Sequence, residues 1–299
     1  LVLEYSCKNG QCGVCKTTIL DGLVTEIKPQ LSLTEEDKKS GKCLTCCCSP
    51  ETDILIDAQD LTVLKNIEIK TMPVRIDSIN KLSDQIIQVK LRYPPRSVFT
   101  FVEGQYIDVL FSGIRRSYSV ASTNEDNEIL LLIKKVESGV MSDYWFNEAK
   151  ENDLLRVEGP KGTFYLRDNS QPILMLGTGT GIAPLISILE SLDKNTEFQQ
   201  VNPIKIFWGN RYQKEFFWEP QFNNIKVDLI KVLSKSDMDW DGYVGYVQNI
   251  ADDLFGSEIA DFDVYACGSN NMIISAKDKF IKLGLLESKF YSDAFVQSY

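Results

Sequence analysis

The sequence predicts a multidomain chain: a small cysteine-rich metal domain over 1–66, an antiparallel β-barrel over 67–168, and an α/β domain built on a parallel sheet over 169–299. Three observations predict this order. Seven of the eight cysteines fall within the first 48 residues. The middle of the chain reads as short alternating segments broken by Pro, Gly and Asn clusters. After Pro172, apolar runs alternate with stretches of helical spacing.

Composition narrows the chemistry. With 43% hydrophobic and 25% charged residues, the 299-residue chain is ordinary globular protein. No stretch reaches the roughly 18 apolar residues of a membrane span, and no basic segment precedes an apolar core at the N-terminus, so a soluble, cytoplasmic protein is expected. A formal charge of −10 repels phosphate backbones, which excludes nucleic acid as a partner and favours protein partners with basic patches. There is no histidine. Ser-His-Asp catalysis, His-ligated metals and histidine proton shuttles are therefore excluded.

The cysteines are grouped as a metal site groups them. Cys7, Cys12 and Cys15 have Cys-x4-Cys-x2-Cys spacing, and Cys46 follows Leu44-Thr45, which together is the spacing of plant-type [2Fe–2S] centres. Three thiolates from nine residues require the backbone to wrap around the cluster, and Gly10 and Gly13 supply the open dihedrals. A structural zinc on Cys12, Cys15, Cys43 and Cys46 is the rival reading, and it leaves Cys7 without a role. Cys43, Cys47 and Cys48 are then surplus, small buried groups around the cluster, any one of which could substitute as the fourth ligand, with Cys46 preferred for its Leu44-Thr45 context. The context of Cys46, with Ser49-Pro50 and Asp53 after it, resembles plant-type ferredoxins. That resemblance implies a hairpin and a helix ahead of the cluster loop, so the segment is expected to be an N-terminally truncated, partial β-grasp domain.

A short strand is expected at Ile54–Ala58, then a linker from Asp60 to Met72, ending at Pro73. Barrel strands are expected at Val74–Ile79, Ile86–Leu91, Tyr106–Phe111 and Glu128–Val136. Ile173–Leu176 is a buried strand, followed by a glycine loop and by Ile182, Leu185, Ile186, Leu189 and Leu192 at helical spacing, with Pro184 in the first turn. Apolar strands at Ile204–Trp208, Val227–Val232 and Val264–Ala266 complete a parallel sheet with its ligand at the strand C-termini.

Five segments carry the remaining chemistry: Arg115-Arg116-Ser117-Tyr118-Ser119, Gly139-Val140-Met141-Ser142, Gly177-Thr178-Gly179-Thr180-Gly181, Cys267-Gly268, and Phe290 to Val296. Together, and in this order behind the cysteine loop, they resemble the ferredoxin–NADP reductase superfamily, in its members with an N-terminal plant-type ferredoxin domain. The resemblance implies that Arg116 pairs with flavin phosphate, Tyr118 packs on the isoalloxazine and Ser119 hydrogen-bonds near the flavin N5. Gly139 to Ser142 would receive the FAD pyrophosphate at a helix start, and Gly177 to Gly181 the nicotinamide dinucleotide. Cys267, with Gly268, would border the hydride path, and Phe295 would cover the flavin face.

The circuit implied is NADH to FAD to [2Fe–2S] to a partner protein, because nicotinamide gives two electrons as hydride while the cluster accepts one. NADH is preferred to NADPH because Leu233 to Asp237 lacks an arginine for a 2′-phosphate, although Lys235 and Arg211 are near candidates. Within the superfamily, the segments GQYIDVL, RRSYSVA, EGPKGTFYLR, VYACGS and FYSDAFV resemble most the CDP-6-deoxy-Δ3,4-glucoseen reductases of 3,6-dideoxyhexose biosynthesis. This implies as electron acceptor a CDP-4-keto-6-deoxyhexose 3-dehydrase, with the sugar bound by that partner. The rivals are the reductase component of an aromatic-ring or alkane oxygenase, and a zinc-stabilised binding module without enzymatic activity.

Overall fold

The computed structural model describes residues 1–167, 171–198, 200, 202–235 and 239–295. Its first 66 residues hold five short strands and one helix: β1 (Lys16–Asp21), β2 (Val24–Glu26), α1 (Glu35–Lys39), β3 (Lys42–Leu44), β4 (Cys48–Pro50) and β5 (Leu55–Asp57). Strands β3, β1 and β5 form one antiparallel sheet, and β2 pairs with β4. Helix α1 starts where Thr34 and Asp37 satisfy each other's backbone amides in a capping box. A small core of Cys15, Leu44 and Cys47 sits beneath the cysteine loop. The expected linker differs from what is found. Leu61 and Leu64 are buried against Tyr165, and the next strand already begins at Lys70, because isolated apolar residues in that segment find a surface to cover.

The second domain is a six-stranded antiparallel sheet: β6 (Lys70–Ser83), β7 (Ile86–Arg92), β8 (Tyr106–Phe111), β9 (Ile114–Ser119), β10 (Ile129–Lys134) and β11 (Leu154–Lys161), in the order β10-β7-β6-β11-β8-β9. A bridge from Val120 to Leu131 brings the end of β9 back to β10 and rounds the sheet towards a barrel. In β6, Met72, Val74 and Ile76 point inward while Thr71, Pro73 and Arg75 face solvent, the period-two signature. Between β10 and β11, α2 (Val140–Asp143) widens into a π turn over Tyr144–Glu148 that seats Tyr144 and Trp145 in the barrel core.

The third domain is a six-stranded parallel sheet. Its elements are β12 (Ile173–Thr178), α3 (Ala183–Lys194), β13 (Ile204–Asn210), β14 (Val227–Leu233), β15 (Tyr243–Val244), α4 (Val247–Phe255), β16 (Asp263–Ser269), α5 (Asn270–Lys282) and β17 (Phe290–Phe295). The order β15-β14-β13-β12-β16-β17 sends the chain outward one way from β12 and then the other way through β16. The crevice at the C-terminal ends of β12 and β16 is thus the topological switch point, where α/β sheets bind their ligands. No helix among the described residues is long and apolar enough to cross a membrane.

Candidate functional site

The cysteine loop presents its thiols in pairs. Cys7 and Cys12 interact, and this contact, against an opposing burial effect and with further help from the amides of Asn9, Cys12 and Gln11, holds the Cys7 thiol below its ordinary value. Cys15 and Cys46 sulfurs stand 3.3 Å apart, and the Cys47 sulfur lies 3.5 Å from Cys46 on its other side. Two thiol pairs fit a binuclear cluster, which takes two thiolates on each iron. Cys43 turns instead towards Cys48, away from the set a zinc ion would need. Gly10, at φ +79°, has the Pro29 carbonyl oxygen 2.3 Å from where a Cβ would be, so no side chain fits there.

On the barrel, strand β9 decides between two adjacent arginines. Arg115 is held by Asp108 at 2.9 Å and by both oxygens of Glu158 at 2.8 and 2.9 Å, and Lys161 joins the same carboxylates. Arg116 is exposed and has no salt bridge among the described residues, only a 2.8 Å bond to the Arg115 carbonyl. Tyr118 accepts a bond from the Trp145 indole at 3.0 Å, which fixes its ring. Ser119 is 5% exposed, and its hydroxyl faces the Asp293 carboxyl without a hydrogen bond of full geometry. A free guanidinium and, at the end of the same strand, a buried hydroxyl fit a bound flavin. Gly139 caps α2, whose first-turn amides, at Val140, Met141 and Ser142, have no intrahelical acceptors. The Ser142 hydroxyl accepts the Val136 amide at 2.9 Å, so it braces the turn as well as facing any phosphate through its proton.

The glycine segment and Cys267-Gly268 meet across the switch point. Gly177 is in register with Cys267, and a Cβ on Gly181 would lie 2.5 Å from the Cys267 carbonyl. On the other side, Gly268 (φ +126°) leaves room for the Thr178 hydroxyl, which accepts the Ser269 amide at 2.9 Å. Gly179 is tied by its carbonyl to the Trp208 indole at 2.9 Å, and Thr180 continues the same 3-10 turn. Cys267 is fully buried, and desolvation pushes its thiol well up, so it stays neutral. Phe295 ends β17 with its side chain 41% exposed, and Val296 lies outside the described residues. Arg211 and Lys235 lie at the ends of β13 and β14, Lys235 over the Tyr212 ring, while Ser236 and Asp237 lie outside the described residues.

Sequence reasoning missed the residue where all three domains meet. Asp293, in β17 opposite Cys267, is buried and accepts the Ser6 hydroxyl at 2.7 Å, next to Ser119 and one residue from Cys7. Desolvation pushes its carboxyl up to about 6, against the hydrogen bonding that lowers it. The neighbouring Tyr5 donates its amide to Thr163 at 2.9 Å and accepts the Gly162 amide at 3.1 Å, and Tyr106 donates to the Ser6 carbonyl at 3.1 Å. Glu4 pairs with Arg167 at 2.8 Å. The cysteine loop is thus sewn to the barrel, and Lys16 and Lys42 reach Glu287 of the third domain at 3.8 and 4.0 Å. The only available signal was the FYSDAFV segment itself, since Ser6 and Asp293 are 287 positions apart.

A cysteine loop, a flavin barrel and a nicotinamide sheet joined in this way define an iron–sulfur flavoprotein reductase. Comparison with known proteins agrees: residues 1–51 match a 2Fe-2S iron-sulfur cluster binding domain, 73–165 an oxidoreductase FAD-binding domain and 175–278 an oxidoreductase NAD-binding domain. The chain is 41% identical to the CDP-6-deoxy-L-threo-D-glycero-4-hexulose-3-dehydrase reductase of Yersinia pestis, over 99% of this chain and 90% of that one. It is 38% identical to protein RfbI of Salmonella typhimurium, over 99% and 88%, and 26% identical to the toluate 1,2-dioxygenase electron transfer component of Pseudomonas putida, over 99% and 89%. In fold it is similar to the ferredoxin reductase in carbazole 1,9a-dioxygenase, with a TM-score of 0.73 at 24% identity over 98% and 89% of the chains. The chain belongs to the family of CDP-6-deoxy-L-threo-D-glycero-4-hexulose-3-dehydrase reductases, and is an NAD(P)H-dependent FAD oxidoreductase with a 2Fe-2S domain.

Proposed function

We propose that this chain takes hydride from NADH and delivers electrons singly to a pyridoxamine-phosphate-dependent CDP-4-keto-6-deoxyhexose 3-dehydrase in 3,6-dideoxyhexose biosynthesis. The observation that carries this reading is 41% identity along 99% of the chain to a dehydrase reductase, against 26% to an oxygenase component. The flavin supplies the adaptor between a two-electron donor and a one-electron cluster. Cys7, Cys12, Cys15 and Cys46 hold the cluster. Arg116 binds flavin phosphate, the α2 amides bind the pyrophosphate, and Tyr118 and Phe295 flank the ring. Ser119 donates to the flavin edge, and Asp293 stands behind it, accepting the Ser6 hydroxyl. Gly177 to Gly181 admit the dinucleotide, and Cys267 with Gly268 borders the nicotinamide.

The domains divide after residues 66 and 168, and the protein works in the cytoplasm, where a sugar-nucleotide pathway supplies its partner. NADH is the donor, since the described part of the Leu233 to Asp237 segment has no arginine to fork onto a 2′-phosphate. Both phosphate cradles are committed to the two dinucleotides, so the CDP-sugar is bound by the dehydrase. Reconstitution tests the reading: holoprotein, NADH, such a dehydrase and its CDP-4-keto-6-deoxyhexose should yield the 3,6-dideoxy sugar. An oxygenase component reduced readily while no sugar is reduced would overturn it.

A further inference from the structure

The cysteine loop is covered on two sides. Tyr5 and Ser6 are bonded to the barrel, and Cys7, Cys12 and Val14 pack into the nicotinamide-domain core. What remains open is the loop tip, where Lys8 and Asn9 are exposed, and the segment from Ile27 to Leu31 beside it. That segment is clasped to the cluster loop through its backbone. The amides of Ile27 and Lys28 donate to the Cys47 carbonyl at 2.8 and 3.2 Å, and the Ser32 amide donates to the Gly10 carbonyl at 2.9 Å. On this fixed backbone Ile27 is 59% and Leu31 66% exposed. The Lys28 ammonium reaches the Lys8 carbonyl at 3.5 Å, the Lys8 ammonium lies 3.8 Å over the Tyr5 ring, and neither lysine has a salt bridge among the described residues. Glu26 is bonded to Gln30 at 2.9 Å.

We infer that Ile27 and Leu31, flanked by Lys8 and Lys28, form the surface on which the electron-accepting dehydrase docks, and that its matching face is apolar and rimmed by carboxylates. The inference rests on the functional reading above. Electron tunnelling falls exponentially with distance, so the acceptor must approach the cluster by its uncovered side. Two aliphatic side chains on a backbone already pinned lose little entropy on docking and supply an apolar centre, while unpaired lysines supply an attractive rim. The excess negative charge of the chain does not govern this place: the two cations nearest the loop tip form no salt bridge among the described residues.

The test is a binding measurement between the cluster- and flavin-loaded chain and the CDP-4-keto-6-deoxyhexose 3-dehydrase, with NADH-driven ferricyanide reduction and iron content as controls. The Ile27→Glu/Leu31→Glu double variant should raise Kd roughly tenfold or more. Lys28→Glu should weaken binding less and make it less salt-sensitive. Both should keep wild-type iron content and ferricyanide reduction. An unchanged Kd in the double variant, or a loss appearing instead with Leu20→Glu/Leu55→Glu on the β1–β5 sheet, overturns this surface alone. A wild-type chain that neither binds the dehydrase nor supports sugar reduction overturns the functional reading, and with it the partner named here.

Discussion

Replacing Gly10 with alanine tests the architecture of the cluster loop, and Gly113 provides its control. The two glycines have almost the same backbone, φ +79° and +78°. At Gly113 nothing lies within 4 Å of an added Cβ, whereas at Gly10 that atom would meet the Pro29 carbonyl oxygen at 2.3 Å and the Cys47 sulfur at 2.9 Å. Gly113→Ala should therefore cost only the left-handed conformation, about 1–2 kcal/mol. Gly10→Ala should cost that and a further ~1–3 kcal/mol, because backbone must move to admit the methyl group. The movement separates the cluster loop from the Ile27–Leu31 segment, so iron and sulfide content should fall in Gly10→Ala and stay at two of each in Gly113→Ala. Metal and sulfide analysis after anaerobic reconstitution, with urea unfolding of both variants, reads the difference. Equal stability and full cluster content in both would refute the packing argument.

Other perturbations separate residues that look alike in sequence. Arg116→Ala should weaken flavin retention by about 1.5–3 kcal/mol, the scale of a charge-assisted bond, measured as flavin content at limiting cofactor. Arg115→Ala should keep its flavin, because that guanidinium is occupied by Asp108 and Glu158. Cys12→Ser should lose the cluster while Cys43→Ser retains two irons, and metal analysis showing bound zinc that is lost equally in both would favour the zinc reading. Burial raises the Asp37 carboxyl, but the amide and hydroxyl of Thr34 and the Lys16 ammonium outweigh it and bring it to about 2. A carboxyl depressed from 3.8 contributes stability above that pH and loses it as pH falls towards 2, so Asp37→Asn should be less stable by about 2 kcal/mol at pH 7. Urea unfolding across pH should show the gap closing between pH 4 and 2, and a gap that does not vary with pH would contradict this origin.

The parts legible in sequence are those set by local pattern. The alternation in β6, the apolar run of β12 and the helical spacing of α3 each record burial in neighbouring residues, although β6 begins at Lys70, inside the stretch expected as linker. What was not legible depends on residues distant in sequence. Arg116 was singled out by resemblance, but that Arg115 is tied up by Asp108 and Glu158 on the facing strands could not be read from the sequence. Asp293 acquires its position only when Ser6, from the other end of the chain, folds against it. Leu61 and Leu64 read as linker because Tyr165, which covers them, lies a domain away. The π turn at Tyr144–Glu148 answers to the barrel core rather than to helical spacing.

The central claim is that electrons from reduced nicotinamide reach the cysteine loop through a bound flavin. Anaerobic titration of the FAD- and cluster-loaded chain with NADH, followed by electron paramagnetic resonance, measures this directly. The account predicts bleaching of the flavin bands together with one spin per chain of the S = 1/2 type that a reduced [2Fe–2S] centre gives. Flavin bleaching with no such signal from protein that contains two irons and two sulfides would contradict it, as would a reconstituted chain that holds zinc and no sulfide.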